Sequence, residues 1–269
     1  LKTLIKALSP AEIYLVGGSV RDAFLTVADT DLDVATSLTA AEIKARCDAH
    51  GIRIIETGIQ HGTVLAVIDE VHIEVTTFRV PSSREHHTVA RDIATDLSGR
   101  DFTINAIAFD VAGRTLIDPF NGVLDLEQNI LRAVGSAEER FTEDPLRILR
   151  MIRFGDAQGR AIEDATLAAA KKHAQLLARV SCERIKAELD KILMSEFPHL
   201  GMRKILEIGA LPYTIPELIP AVGFEQNKFH IHDVFDHTLW VLERTPRDLI
   251  LRWSAIFHDV GKPHTLSVD

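Results

Sequence analysis

The sequence predicts an N-terminal sheet domain of the α/β (α+β) class, followed by all-α domains. Two observations predict this fold class. Up to about residue 120, short runs rich in β-forming residues alternate with helical ones. After residue 123, the segments carry helical periodicity and little β signal. The length of 269 residues exceeds one typical domain and predicts two or three compact units.

The first segments define the predicted sheet domain in chain order. An apolar run at 13–18 ends in glycines and leads into a helix, and 31–37 is a second strand. Residues 39–50 are predicted to form an amphipathic helix with Thr39 as its N-cap residue. Three more strands follow within 52–79, and the last two are predicted to form a hairpin around residues 69–70.

A turn at 119–122 ends the predicted sheet domain, because Pro, Asn and Gly follow one another closely there. The rest of the chain is predicted to be helical on both sides of a linker rich in Pro and Gly at 212–223. We therefore expect three parts, residues 1–122, 123–210 and 211–269. The predicted helical segments are 123–132, 143–155, 161–177, 181–195, 198–209 and 232–260.

The composition is ordinary for a soluble globular protein, with 46% hydrophobic and 26% charged residues. No stretch approaches the roughly 18 consecutive apolar residues needed to cross a bilayer, and the start has no signal-peptide pattern. Cys47 and Cys182 lack metal-ligand spacing, so we expect both to be buried as small hydrophobes in a reducing compartment. These features favour the cytoplasm.

The net charge of −9 argues mildly against a nucleic-acid partner, because phosphate binding normally needs a basic surface. The sequence stops at Asp269, shortly after HDVGKPHT, and we expect that a C-terminal region with more basic surface is missing. Global charge is therefore a weak guide to partners. A local basic bias does run through the middle of the chain, at Arg140, Arg147, Arg150, Arg153, Arg160, Lys171 and Lys172.

The strongest chemical signal joins a glycine turn to two carboxylates. The turn GGS at 17–19 is followed, after eleven residues, by Asp31-Leu32-Asp33. Because positions i and i+2 of a strand point to one face, Asp31 and Asp33 would repel each other unless a cation lies between them. Mg²⁺ prefers such oxygen ligands, and the backbone N–H groups of a Gly-Gly turn can approach phosphate. Glu74, in an otherwise apolar strand, is the best candidate for a third carboxylate.

Together these groups predict a phosphoryl-transfer site, in which two metal ions would hold the attacking and the leaving oxygens. A DxD pattern alone is equally typical of a turn or of a solvated strand edge. The glycine turn upstream and Glu74 downstream favour the phosphoryl-transfer site over that alternative.

Six segments carry a resemblance to a known family: LVGGSVRDAFL, DTDLDVATS, HGTVLAVIDEVHIEVTTFR, GRDFTINAIAFD, LIDPFNGVLDL and EDPLRILRMIRF. In this order they resemble the class II tRNA nucleotidyltransferases (CCA-adding and CC-adding enzymes) and bacterial poly(A) polymerases, within the polymerase β-like superfamily. The resemblance spans about residues 10 to 195. It implies a polymerase β-like nucleotidyltransferase catalytic head domain over 1–122, a helical nucleotide-selecting neck over 123–210 and a helical body over 211–269.

The resemblance also implies roles for residues of the head. Asp31 and Asp33 match the metal-binding pair, and Glu74 matches the third acidic position of the catalytic site. The family has two arginines before the aspartate of its RRDFTxNA element, whereas this sequence has Gly99 in the first place, so one cation is missing. The residues that match the nucleotide-binding elements, for triphosphate or for ribose and phosphate, are Gly17, Gly18, Arg21, Arg100, Asp101 and Asn105.

Glu143, Asp144 and Arg147 match the EDxxR element of the family, which implies base selection. Residues three apart on a helix are neighbours, so Asp144 can accept from the exocyclic amine shared by cytosine and adenine while Arg147 donates to the base. The alternative is a helix N-terminus favoured by the acidic pair, with Arg147 in a surface ion pair. Arg150 and Arg153 continue this face. They are predicted to contact the triphosphate or the tRNA backbone, and the alternative is a solvated basic face.

The function implied by the resemblance is a tRNA nucleotidyltransferase that adds C and/or A to the tRNA 3′ end from CTP and ATP, releasing pyrophosphate, with two Mg²⁺ ions. An enzyme that adds only CC is one alternative, because the segment between Arg79 and Arg100 is shorter than expected for CCA-adding members. A poly(A) polymerase and a catalytically silent RNA-binding protein are further alternatives. A membrane partner is not expected, and the sequence gives no oligomeric state.

The histidines near the end indicate another function. His237 and His258-Asp259 resemble the start of an HD-type metal phosphohydrolase domain, in which two histidines and an aspartate bind a divalent ion. Imidazole and carboxylate ligands suit a divalent transition metal. A further Asp is expected beyond residue 269, and the alternative is that the module serves as structure or as a tRNA-binding body. The histidines expected at the surface or at helix caps are His230, His232 and His264.

Overall fold

The computed structural model describes residues 1–25, 32–58, 62–80, 89–225 and 232–265. The chain divides into two compact units: the first is Leu1–Gln128 with Arg132–Gly135, and the second is Asn129–Leu131 with Ser136–Asp269. The division into three parts at residues 122 and 210 stays a prediction. The predicted features that lie outside the described residues are Asp31, His230 and residues 81–88 of the bridge after Arg79.

The first unit has a mixed sheet with seven strands among the described residues. Its order is β3-β4-β5-β2-β1-β6-β7, and each neighbouring pair is antiparallel except β2 and β5, which are parallel. The strands are β1 (Ile13–Val16), β2 (Leu32–Thr36), β3 (Arg53–Gly58), β4 (Thr63–Ile68), β5 (Val71–Thr77), β6 (Ala108–Asp110) and β7 (Thr115–Ile117). The helices of this unit are α1 (Lys2–Leu8), α2 (Gly18–Phe24), α3 (Ala40–Ala49), α4 (Ile93–Ser98) and α5 (Gly122–Glu127).

Burial alternates along β5 and determines which side chains are available for chemistry. Ile73 and Val75 are buried in a core that α1 and α3 also line, whereas Glu74 between them is exposed. Val34 of β2 belongs to the same core. Because successive strand residues point to opposite faces, the carboxylates of Glu74 and of Asp33 lie on the face away from this core.

The predicted hairpin after Ile68 is confirmed. β4 and β5 pair antiparallel up to Ile68 and Val71, so Asp69 and Glu70 form a two-residue loop. Both loop residues have positive φ angles, 49° and 62°. Two consecutive positive φ angles are what a type I′ turn requires, and this turn matches the twist of the strands that it joins. The hairpin fixes the register of β5 and therefore the position of Glu74.

The predicted N-cap of α3 is also confirmed. The Thr39 hydroxyl accepts a hydrogen bond from the Glu42 backbone N–H at 3.3 Å, and the Glu42 carboxylate accepts from the Thr39 backbone N–H at 2.8 Å. These two bonds form a capping box. The bonds from the Thr39 backbone and hydroxyl hold the pKa of the exposed Glu42 carboxyl below its ordinary value.

Replacing Thr39 with alanine is expected to lower the melting temperature of the protein by a few degrees at pH 7, because the Glu42 backbone N–H loses its acceptor and the Glu42 carboxylate loses the bond from the Thr39 hydroxyl. A carboxyl group with a lowered folded-state pKa stabilises the protein above its unfolded pKa, and this contribution is lost as the pH falls through the folded value. The effect of the substitution should therefore shrink below about pH 4. Thermal unfolding of wild type and variant across pH 3 to 8 measures it, and an effect that does not change with pH would contradict the reciprocal cap.

The second unit is largely helical in its described part, which confirms the predicted order of a sheet domain followed by helices. Its helices are α6 (Ala137–Glu143), α7 (Arg147–Phe154), α8 (Asp164–His173), α9 (Cys182–Leu193), α10 (Pro198–Glu207), α11 (Leu211–Thr214), α12 (Val234–Arg244), α13 (Leu249–Phe257) and α14 (Lys262–Thr265). A short parallel pair, β8 (Ile130–Leu131) and β9 (Ala161–Ile162), accompanies them.

Several predicted helical segments are wrong in their extent. The segment 143–155 is interrupted after α6, and α7 begins only at Arg147. The segment 161–177 begins with β9, and α8 begins at Asp164. The segment 123–132 ends as a helix at Glu127 and continues into β8. The segment 232–260 is divided into α12 and α13 because Pro246 favours an extended conformation at Thr245, and the Asp248 side chain then caps α13. The predicted linker 212–223 overlaps α11 and contains a 3₁₀ turn, Pro216–Ala221.

Cys47 is buried as predicted, but the prediction for Cys182 is wrong. Cys182 is the first residue of α9, and at this position its side chain is exposed. Among the residues that the structure describes, no helix is long and apolar enough to cross a membrane.

Candidate functional site

Two of the predicted catalytic carboxylates are neighbours in the sheet. β2 and β5 pair in parallel, with Asp33 opposite Glu74. Strands in a sheet are about 4.8 Å apart, so the two side chains emerge side by side from the same face. The third predicted carboxylate, Asp31, lies outside the described residues.

The glycine turn lies directly against Asp33. Gly17 has a φ angle of +59° and is the N-cap residue of α2. A Cβ atom on Gly18 would lie 3.2 Å from the Asp33 Oδ2 atom, and one on Gly17 would lie 3.6 Å from the same atom. The Ser19 hydroxyl accepts a hydrogen bond from the Asp33 backbone N–H at 2.5 Å. Glycine is favoured at position 17 by its positive φ angle and at position 18 by the close approach of the Asp33 carboxylate oxygen.

A chain of hydrogen bonds connects α2 to the segment after α4. Arg21 donates from Nη1 to the Asn105 side-chain oxygen at 2.6 Å and from Nε to Asp22 at 2.7 Å. The Asn105 amide group donates to Asp101 at 3.0 Å. Asp101 and Asn105 are both buried. The fold therefore brings together predicted nucleotide-binding residues from two motifs that are far apart in sequence.

Arg100 approaches the same glycine turn from the opposite motif. A Cβ atom on Gly17 would lie 2.8 Å from the Arg100 Nη1 atom. Nη1 also donates to the Asn105 backbone oxygen at 3.3 Å, and the Arg100 side chain is 15% exposed. The structure places Gly17, Arg21 and Arg100 in one small region. Their contacts with a nucleotide remain predictions.

Asp96 was not among the residues selected from the sequence, yet it is part of this region. It is 3% exposed, and its Oδ2 atom accepts from the Arg100 Nε and Nη2 atoms at 3.2 and 3.0 Å. The spacing of four residues between Asp96 and Arg100 could have suggested an ion pair. Nothing in the sequence indicated that this carboxylate would be buried.

The arrangement can bind a polyphosphate together with a hard cation. Carboxylate oxygens of Asp33 and Glu74 are on one strand pair, and the Asp33 oxygen lies in a cradle that a Cβ atom would fill. Hard divalent cations take such oxygen ligands. Guanidinium groups of Arg21 and Arg100 lie nearby, and guanidinium groups bind phosphate through charge-assisted hydrogen bonds. The residues therefore fit a divalent metal ion and a phosphate chain.

In the second unit, the expectation that Asp144 and Arg147 share one helix face is wrong. Asp144 has an extended conformation, φ −140° and ψ 99°, and α7 begins at Arg147. The reason is Pro145, because a residue before proline is disfavoured in the helical region. The two residues are still close, since the Arg147 N–H donates to the Asp144 backbone oxygen at 3.0 Å.

The EDxxR residues take part in ion pairs of the second unit. Glu143 accepts from Arg147 Nη1 at 2.9 Å and from the buried Arg140 at 2.7 Å. Asp144 accepts from Arg184 at 2.8 Å. These contacts agree with the ion-pair alternative for Arg147, and they also fix the orientation of its guanidinium group.

The two arginines that follow contact one aromatic ring. The Arg150 and Arg153 guanidinium carbons lie 5.3 and 3.9 Å from the centre of the Phe154 ring. Arg153 also donates to the buried Glu188 at 2.7 Å. Arg153 is therefore anchored within its unit, and its contact with a nucleotide stays a prediction.

The predicted HD residues also come together in the second unit. His237 and His258 direct their Nε2 atoms to the Asp259 Oδ2 atom, at 3.6 and 3.2 Å. Lys262 donates to the same oxygen at 2.6 Å. One ligand atom from each of His237, His258 and Asp259 lies within 4.8 Å of the others, which is a spacing that can hold a metal ion. His232 and His264 are exposed, as expected.

Two family profiles match this chain. The family described as "Poly A polymerase head domain" matches residues 13–132. The family described as "Probable RNA and SrmB- binding site of polymerase A" matches residues 160–222. Together the matches include all the candidate residues of the first unit and the larger part of the chain.

Similar proteins are CCA-adding enzymes. The one from Streptococcus uberis is 40% identical over 84% of this chain and 55% of its own length, and the one from Streptococcus sanguinis is 44% identical over 77% and 52%. The crystal structure of Bacillus stearothermophilus CCA-adding enzyme in complex with CTP has a TM-score of 0.80 and 32% identity, over 96% of this chain and 61% of that one. The chain thus spans about half the length of the relatives that it matches.

Proposed function

The chain belongs to the family of class II CCA-adding enzymes and poly(A) polymerases, and we propose that it is a tRNA nucleotidyltransferase that adds C and/or A to the tRNA 3′ end. In the proposed reaction the RNA 3′ oxygen forms a bond to the α-phosphorus of CTP or ATP, and the bond to pyrophosphate breaks. The observation that carries the proposal is the pairing of Asp33 with Glu74 beside the glycine turn.

Residues of the first unit have separate roles in the proposed reaction. Asp33 and Glu74, with Asp31, would hold divalent cations, which are general for this family, and the oxygen-only ligand set favours Mg²⁺. Such ions neutralise the charge that develops on the phosphate oxygens. Arg21 and Arg100 would bind the triphosphate, and Asp101 and Asn105 would support Arg21 and contact the ribose.

Selection of C and A is proposed for Asp144 and Arg147. Arg147 is held by Glu143, so its guanidinium group has a defined direction in which to donate to a base. Asp144 is partly exposed and is paired with Arg184, and a base amine would share this carboxylate with Arg184 or replace it. Hydrogen bonds to base edges distinguish C and A, which carry an exocyclic amine where U and G carry a carbonyl oxygen.

The experiment that tests the function is incorporation of each labelled nucleotide separately, with tRNA that lacks its 3′ CCA. We expect Mg²⁺-dependent incorporation of CTP, and of ATP once two cytidines are present. Products that stop at CC identify the CC-adding alternative, and repetitive ATP addition to unstructured RNA identifies a poly(A) polymerase. No incorporation of any nucleotide would refute the proposal and favour a binding-only protein.

We place this activity in the cytoplasm. Both cysteines are free, which fits a reducing compartment. The proposed tRNA and nucleoside triphosphate partners are also cytoplasmic molecules.

A second candidate function is a metal-dependent phosphohydrolase in the second unit. It is favoured by the convergence of His237, His258 and Asp259 on one point. Two imidazoles and a carboxylate suit a divalent transition metal such as Mn²⁺ or Ni²⁺. Lys262 contacts Asp259 in this structure, and its side chain would have to move away so that the carboxylate can bind the metal.

Calorimetric titration with Mn²⁺ and Ni²⁺ tests this second site. Replacing Asp259 with asparagine is expected to weaken binding by roughly tenfold or more, because an anionic ligand is lost. Asp236 is a matched control, since it is a partly exposed aspartate paired with Arg203, and Asp236→Asn should leave metal binding unchanged. Equal effects of the two substitutions would rule out the proposed ligand set. Phosphatase activity that survives Asp33→Ala would then separate this site from nucleotide transfer.

A further inference from the structure

We propose that Asp96 is a positioning residue for nucleotide transfer, which holds the Arg100 guanidinium group at the glycine turn. The inference rests on the proposed function, because it gives Arg100 a triphosphate to bind. It assigns a role to a buried carboxylate outside the residues selected from the sequence.

The contacts of Asp96 use both of its oxygens. Oδ2 accepts from the Arg100 Nε and Nη2 atoms at 3.2 and 3.0 Å. Oδ1 accepts from the Arg79 backbone N–H at 2.9 Å, and the Arg79 Nε atom lies 3.9 Å from the same oxygen. With 3% exposure, this carboxylate is shielded from water, so its hydrogen bonds determine its orientation.

The direction of these bonds determines where the Arg100 side chain ends. Asp96 takes the Nε–Nη2 edge of the guanidinium group, which leaves Nη1 directed at the glycine turn. The position that a Cβ atom of Gly17 would occupy is 2.8 Å from Nη1. A free arginine side chain has many rotamers, and a fixed partner on one edge removes most of them before a ligand arrives.

Asp96 also connects Arg100 to the strand of the acidic site. Arg79 follows β5 by two residues, and β5 carries Glu74. The chain returns beside this strand end, because the Ala90 N–H donates to the Phe78 oxygen at 2.9 Å and Arg79 pairs with Val89. Asp96 therefore links Arg100 to the end of the strand that carries an acidic residue of the site.

The donors of Arg79 and Arg100 require a carboxylate at position 96, and a neutral side chain of the same size cannot replace it. Asparagine has the same shape, but only one of its two terminal atoms is an acceptor. In Asp96→Asn the amide NH₂ would face either the Arg79 N–H or the Arg100 guanidinium group, and in both cases two donors meet. The substitution therefore breaks one arm of the link without creating a cavity.

We expect Asp96→Asn to raise the KM for CTP by about tenfold while kcat changes by less than about twofold, since a misdirected Arg100 binds triphosphate less well. The decisive measurement is a double-mutant cycle with Arg100→Ala. If Asp96 acts through Arg100, adding Asp96→Asn to Arg100→Ala should change kcat/KM by less than about twofold. A substitution that acts only on the fold would lower kcat/KM equally with and without Arg100.

Asp92 provides the matched control. It is the N-cap residue of the same helix, and its carboxylate accepts from the Thr95 N–H at 2.8 Å, away from Arg100. Asparagine keeps an acceptor oxygen for the Thr95 N–H, so Asp92→Asn should retain the helix cap and leave the KM for CTP unaltered. An equal rise in KM in both variants would overturn the inference, because it would assign the effect to α4 as a whole.

Failure of this inference is distinguishable from failure of the proposed function. If the wild-type protein incorporates no nucleotide from CTP or ATP, the proposed function fails, and the role of Asp96 in transfer fails with it. If the wild-type protein is active and the effects of Asp96→Asn and Arg100→Ala are additive, the positioning role alone is refuted.

Discussion

Replacing Asp33 with alanine is expected to lower nucleotide incorporation by roughly a thousandfold, because metal-bound charge stabilisation in phosphoryl transfer contributes several kcal/mol. The backbone N–H of residue 33 donates to the Ser19 hydroxyl, and this bond does not depend on the side chain. Neighbouring core residues such as Val34 are also unaffected. The variant should therefore fold normally. Incorporation of labelled CTP measures its activity, and its melting temperature measures its fold.

A metal-specificity exchange distinguishes a metal ligand from a residue that acts by charge alone. Asp33→Cys should be inactive with Mg²⁺ and partly active with Mn²⁺ or Cd²⁺, because a thiolate prefers softer ions. Asp48, an exposed aspartate at the end of α3, is the control, and Asp48→Ala should be as active as wild type with each ion. Equal inactivity of Asp33→Cys with all three ions would argue against metal binding by this residue.

The parts of the fold that were predictable from the sequence depend on local patterns. The hairpin at Asp69-Glu70 lies between two runs with strand periodicity, and the capping box joins Thr39 to Glu42, three residues later in the sequence. The pairing of Asp33 with Glu74 is different. Their strands are parallel, and sequence patterns predict acidic residues on two strands without predicting the register that makes them neighbours.

The features that were missed depend on burial or on short elements. Asp96 lies in the segment between Arg79 and Arg100, where no helix is predicted, and only the packing of the first unit makes it a buried partner of Arg100. The pair of β8 and β9 has two residues in each strand, too few for a periodic signal. The helix break at Asp144 could have been predicted, because Pro145 follows it, but helical periodicity on both sides concealed it.

Replacing Gly17 with alanine is expected to reduce incorporation by about a hundredfold, because a displacement of about 1 Å in a catalytic constellation has an effect of this size. The new Cβ atom would lie 2.8 Å from the Arg100 Nη1 atom, closer than real Cβ atoms approach. Arg100 can move aside, since the contact is with the end of a flexible side chain. The guanidinium group would then leave the glycine turn, and the triphosphate would lose the contact that we propose for it.

Gly51→Ala is the control that separates the effect of the contact with Arg100 from the effect of backbone strain. It has a φ angle of +69°, in the same positive region as the +59° of Gly17, and a Cβ atom there meets nothing within 4 Å. Gly51→Ala should cost about 1 kcal/mol of stability and leave incorporation by the folded protein unchanged. Gly17→Ala should cost more, because its ψ angle of −124° lies outside the left-handed helical region. If both variants lose stability but retain wild-type kcat and KM, then neither the close approach at Gly17 nor the position of Arg100 matters for transfer. A loss confined to Gly17→Ala, with a higher KM for CTP, would instead connect the glycine turn to triphosphate binding through Arg100.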